Sequence, residues 1–202
     1  NNNPIRVAIL DSARKLGAKI LVSGGGRCNV TNQQVTEADF HGNPNFIRRL
    51  LRAFNHQQSA AWFESLGVPL KTEPTGKLFP VSDSAHCVLE ALLARGQELG
   101  LHIKTQHQVK GLIIPDQNSP FNIQTTKGDF QAHVVILATG GKSLPKSGSD
   151  GFGFSLAKKL GHSIVNPIPA LAPLVLRDNF FHSYLSGLSE PAELSVWVAD
   201  CL

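Results

Sequence analysis

The chain has 202 residues, 42% hydrophobic and 17% charged, with a formal net charge of +4. That composition suits a globular protein with one good core and the beginning of a second, and no apolar run approaches the ~20 residues needed to cross a bilayer. Three cysteines, Cys28, Cys87 and Cys201, are widely spaced and form no CxxC pair, which argues against a disulfide framework or a zinc site and for a reducing cytoplasm.

Basic residues are scattered along the chain, and cations and aromatics do not read as an interleaved nucleic-acid-binding segment, so no nucleic-acid partner is expected. The sequence holds no methionine and opens NNNPIRVAIL, which reads as an internal piece of a longer protein. Neither a secretory leader nor a membrane anchor is seen.

The first predicted element is a buried strand over 5–10, IRVAIL, closed by Asp11. A basic link leads to a second strand, ILVS, which runs into Gly24, Gly25, Gly26, Arg27, Cys28 and Asn29. Asn43 and Pro44 open a helix whose Phe46, Ile47, Leu50, Leu51 and Phe54 share a face. A second helix is predicted from Gln57 to Leu66, stopping at Gly67.

An extended, proline-broken stretch follows. Ser82 or Asp83 then caps a helix that ends at Gly100. LHIKT, QVKGLII, FNIQTT and FQAHVVILA read as successive strands with at least one hairpin, the last delivering Thr139, Gly140 and Gly141. Asp150 caps a short helix closed by Gly161, and Pro167, Pro169 and Pro173 mark a boundary.

Three features suggest chemistry. A glycine loop behind an apolar run lets backbone N–H groups approach a phosphate, with Arg27 as countercharge, although a plain tight turn fits GGG alone better. Asp11 ends a strand, where an acid can hold a ribose hydroxyl or simply close a turn. The Thr139–Gly141 turn stands at a predicted strand end, where open α/β sheets bind ligands. No HExxH, GxSxG or EF-hand pattern is present, so metal-dependent and serine-hydrolase chemistry are not expected. Cys28 beside Arg27 suits either a reactive thiol or a small residue lining the loop.

KLGAKILVSGGGRCNVTN, GKLFPVSDSAHCVLEAL and ATGGKSLPKSGSDGFGFSLAKKLGHSIVNPIPALAPLVL resemble, in order and spacing, three signature blocks of one bacterial flavoprotein family. These are the NAD(P)/FAD-dependent oxidoreductases of the YhiN/BaiN type, also called aminoacetone-oxidase-like. The resemblance covers nearly the whole chain. It implies an α/β, FAD-binding, Rossmann-like domain of the glutathione-reductase kind over 1–174, with a mainly parallel sheet and a β-meander, and the start of an inserted β-rich domain at 175–202.

By the same resemblance, Asp11 takes the place of the acid that holds the adenosine ribose. Gly24, Gly25, Gly26, Arg27, Cys28 and Asn29 match the loop around the pyrophosphate and isoalloxazine. Val109 matches a residue whose backbone meets the adenine, and Thr139, Gly140 and Gly141 match a second FAD-contacting turn. The family's N-terminal glycine fingerprint is missing from this sequence.

The implied activity is FAD-dependent oxidation or reduction of a small-molecule substrate, with NAD(P)H as a candidate electron donor and no side chain nominated as acid or base. A folate- and FAD-dependent tRNA-modifying enzyme, or a non-catalytic interaction fragment, is the alternative.

Overall fold

A computed structural model describes residues 5–114 and 119–170, together with isolated positions 184, 193, 195 and 197. The chain divides into two compact units, Asn1–Asn166 and Pro167–Leu202. The division comes at the first of the boundary prolines. The expected boundary at 174, and the expected β-rich character of 175–202, lie outside the continuously described residues.

In the first unit β1 (Ala8–Leu10) pairs in parallel with β5 (His102–Lys104), in register Ile9 to Ile103. This is the parallel part of the α/β fold among the described residues. A second sheet, in order β2-β4-β3, is antiparallel and comprises β2 (Thr31–Asn32), β3 (Leu70–Thr72) and β4 (Lys77–Pro80). The third is the expected β-meander of β6 (Val109–Ile113), β7 (Phe121–Thr125) and β8 (Phe130–Ala132).

The described residues also form five α-helices, of which α3 and α4 pack on the second sheet: α1 (Ala18–Val22), α2 (Pro44–Ala53), α3 (His56–Ser65), α4 (Ala85–Glu98) and α5 (Phe152–Lys159). Asn43 caps α2 by accepting the N–H groups of Asn45 and Phe46, and Pro44 opens the helix where a missing N–H costs nothing. Asn55 and Gln58 cap α3 reciprocally, satisfying two otherwise orphaned donors. The core joins Cys28, Val68, Ala85 and Val88, so α4 and the residue after the glycine loop share one apolar centre.

Four local expectations need correction. The buried strand expected over 5–10 is confined to Ala8–Leu10, and Ile5, Val7 and Ile9 are exposed, because β1 has a single strand neighbour, β5, among the described residues. The ILVS run is a helix, α1, because Leu21 N–H donates to the Gly17 carbonyl and the turn packs on α4. A Cβ on Gly17 would collide with Leu89 at 2.5 Å, so glycine is what permits that approach. A short apolar run cannot by itself distinguish a strand from a helical turn.

HVVILA, residues 133–138, forms no sheet ladder among the described residues. It keeps a strand's alternation nonetheless. Val135 and Leu137 line a groove with Leu112, Phe121, Ala157 and Leu160, while Val134 and Ile136 are 76% and 84% exposed. The cap of α4 is Ser84, whose hydroxyl accepts the His86 N–H; Asp83 instead sits at φ 53° and turns its carboxylate elsewhere.

Candidate functional site

The first glycine turn follows α1 directly. Gly24, Gly25 and Gly26 have φ of 55°, 68° and 86°, a left-handed succession closed by a hydrogen bond from Cys28 N–H to the Ser23 carbonyl at 3.0 Å. Side chains with a Cβ are disfavoured there. The three glycines are not equivalent. A Cβ on Gly24 would lie 2.7 Å from both Asn29 N and the Phe79 ring, whereas a Cβ on Gly25 would meet nothing within 4 Å. Gly24 is fixed by packing, and Gly25 presents bare backbone to open space.

The second turn has the same division. Gly140, at φ 71°, is packed: a Cβ would come 3.0 Å from the hydroxyl of buried Ser149. Gly141 faces open space. Thr139 is seated against Gly153 of α5, where a Cβ would fall 2.0 Å from the threonine hydroxyl. Lys19 of α1 donates to Ser143 Oγ at 2.8 Å across 124 residues of sequence, tying the element before the first turn to the residue just beyond the second.

Arg27 is held on the protein. Its guanidinium lies 4.0 Å over the Phe79 ring, donates to Glu73 at 2.5 Å and approaches Asp83 at 3.6 Å. Asp83 also accepts a short hydrogen bond from Lys71. That bond, and the neighbouring cations, hold the Asp83 carboxyl below its ordinary pKa, while the Glu73 hydrogen bond raises that of Arg27. Cys28 is buried in the core at φ 63°, a strained conformation for a residue with a side chain, and Asn29 beside it is exposed. Of the loop's side chains, then, Arg27 and Cys28 are turned into the protein.

Asp11 meets the segment that leads into Val109 at another place. Asp11 N–H donates to the Lys104 carbonyl at 3.0 Å, extending the β1–β5 pairing, and its own carbonyl accepts from His107 N–H at 2.8 Å. The carboxylate accepts the Ala13 N–H at 2.7 Å, the turn-closing bond of an Asx turn. Val109 starts β6 two residues beyond His107 and pairs with Thr125 beside a β-bulge. Among the described residues no hydrogen bond joins Asp11 or Val109 to either glycine turn.

Glu73, Asp83, Lys71 and Phe79 are the residues that sequence reasoning missed. Their signal lay in KTEPTGKLFPVSD, where two acids flank one aromatic. No group of three His, Cys, Asp or Glu among the described residues is placed to hold a metal ion, and no described helix is long and apolar enough to cross a membrane.

The model of the HI0933-like protein Rossmann domain matches residues 1–183. The chain belongs to this family. The Rossmann α/β domain that the three sequence blocks implied is therefore what it carries. A 3-dehydro-bile acid delta(4,6)-reductase of Clostridium scindens is 36% identical over 87% of this chain and 42% of its own length. A ribosomal RNA dihydrouridine synthase of Haemophilus influenzae is 31% identical over 94% of this chain and 48% of its own. The chain thus spans less than half the length of these HI0933-like relatives. Among solved structures it is similar to Thermovibrio ammonificans THI4, at 14% identity and a TM-score of 0.47, over 78% of this chain and 54% of that one.

Proposed function

We propose that the whole protein is a bacterial, cytoplasmic, FAD-dependent oxidoreductase. Asp11, Gly24, Gly25, Gly26, Arg27, Cys28, Asn29, Val109, Thr139, Gly140 and Gly141 contribute to its dinucleotide site. The observation that carries this reading is the matched pair of glycine turns. In each, a Cβ on one glycine would crowd a neighbouring group while the next glycine offers bare backbone to open space, and Lys19 with Ser143 links the two. A cradle of this kind fits a flat, anionic dinucleotide, which needs close main-chain approach and backbone N–H donors.

When bound, FAD supplies two-electron redox chemistry, and the protein supplies orientation and electrostatics. Gly25 and Gly141 give the space. The Asp11 carboxylate keeps an acceptor oxygen beyond the one engaged by Ala13, suited to a ribose hydroxyl. Arg27 acts on the loop's shape, through Phe79, Glu73 and Asp83, and Cys28 anchors the same loop in the core.

The relatives' names suggest the reaction class. A delta(4,6)-reductase and a dihydrouridine synthase both saturate a carbon–carbon double bond conjugated to a carbonyl. The corresponding reaction here would add a hydride from FAD, itself reduced by NAD(P)H, to one alkene carbon and a solvent-derived proton to the other, breaking the π bond as the reduced flavin is reoxidised. The small-molecule substrate expected from the sequence has its support in the reductase relative.

The test is to purify the full-length gene product, record its visible spectrum, and chromatograph the cofactor released on denaturation. FAD, bleached anaerobically by NADH or NADPH, is the expected result. A colourless protein that FAD cannot reconstitute would overturn the reading.

A further inference from the structure

The connection between β5 and β6 is short and strained. Gln106 is exposed and stands at φ 59°, a left-handed conformation that a residue with a Cβ rarely adopts. Its N–H donates to the Ala13 carbonyl at 3.0 Å, and the next N–H, that of His107, donates to the Asp11 carbonyl at 2.8 Å. These two bonds fasten residues 105–108 onto the Asx turn that the Asp11 carboxylate closes.

The His107 side chain holds the connection in that shape. Its Nδ1 lies 2.7 Å from the carbonyl of Thr105, the residue directly after β5. A carbonyl only accepts, so Nδ1 carries the proton and the bond closes the turn around Gln106. The half-buried ring also meets Phe130 of β8 edge to face, with centroids 5.6 Å apart and planes at 68°. One residue thus touches the end of β5, Asp11 and the β-meander, two positions ahead of Val109.

We infer that, within the flavin reading, His107 is a positioning residue for the adenosine half of the dinucleotide. That reading gives Asp11 to the ribose and Val109 to the adenine, and the role of His107 rests on it. The two must keep a fixed spacing to grip one nucleoside, and the 105–108 connection spans the gap between them. Strained main chain persists only where its surroundings over-determine it, and such positions gather at ligand sites. Glycine or asparagine at 106 would turn the chain with less strain. Here the turn is held instead by an imidazole that donates to Thr105 and packs on Phe130, so the effect belongs to that ring and not to any residue at 107.

The experiment is isothermal titration of the full-length apoprotein with FAD, with ADP and with FMN, separately. Wild type is compared with His107→Phe and His107→Asn, with circular dichroism to verify folding. Phenylalanine keeps a ring against Phe130 but has no donor, whereas the asparagine amide places an N–H where Nδ1 stands. His107→Phe should weaken ADP and FAD about tenfold and leave FMN within about twofold, and His107→Asn should restore most of the loss. Equal ADP affinity in all three proteins would overturn the inference. So would a parallel loss of FMN and ADP in His107→Phe, or an asparagine variant that binds ADP no better than the phenylalanine one. Wild type that binds ADP in a His107-dependent way but not FAD would contradict the flavin reading while the adenosine site stands. Wild type that binds neither would overturn both.

Discussion

Gly24 and Gly25 are adjacent, share a left-handed backbone and face different surroundings, so they separate two costs that a glycine can carry. Alanine at Gly25 meets only the backbone penalty of positive φ, about 1–2 kcal/mol. Alanine at Gly24 meets that penalty and also a collision with Asn29 N and the Phe79 ring, which adds roughly 1–3 kcal/mol of overpacking. Urea denaturation should therefore rank Gly24→Ala as clearly less stable than Gly25→Ala.

The paired carboxylates give a second prediction at this scale. Asp83, hydrogen-bonded by Lys71, and Glu37, hydrogen-bonded by Arg48, both have folded pKa values below their ordinary ones. A depressed folded pKa means the unfolded state takes up protons first. The stabilisation is thus fully present above the ordinary carboxylate range and is lost as pH falls through the folded values. The acid limb of stability against pH should be shallower in Asp83→Asn than in wild type, and the two should run parallel near neutrality.

At the scale of the element, what the sequence made legible depended on whether the deciding interaction was local. Asn43–Pro44 and Asn55 with Gln58 announce helix starts through side chains that reach backbone only a few residues away, and α2 and α3 begin there. Asn55→Ala, which removes the acceptor for Gln58 N–H, should cost about 1 kcal/mol in a thermal or urea titration. The ILVS run was not legible, because its helical form is selected by packing of Ile20 and Leu21 on the core that Ala85 and Val88 of the distant α4 complete. The same limit applies to Arg27. Its position beside three glycines reads as a ligand contact, yet its partners Glu73, Phe79 and Asp83 come from β4 and the loops on either side of it. Cys28 likewise belongs to a core completed by α4.

At the scale of the whole molecule, family membership and the β-meander were legible, since block order and turn residues survive in a linear string. The relation between the two glycine turns was not. It rests on a single side-chain hydrogen bond, Lys19 to Ser143, between segments far apart in sequence. That relation underlies the central claim, that bare main chain at both turns receives one FAD.

Gly25→Ala tests this most directly, because the open space at Gly25 lets folding be separated from binding. The measurement is FAD affinity of the full-length gene product, by fluorescence titration of apoprotein, for Gly25→Ala against wild type, with folding verified by circular dichroism. The account predicts a folded variant whose FAD affinity falls by at least about tenfold, the equivalent of ~1.4 kcal/mol. A folded Gly25→Ala protein that binds FAD as tightly as wild type would contradict it.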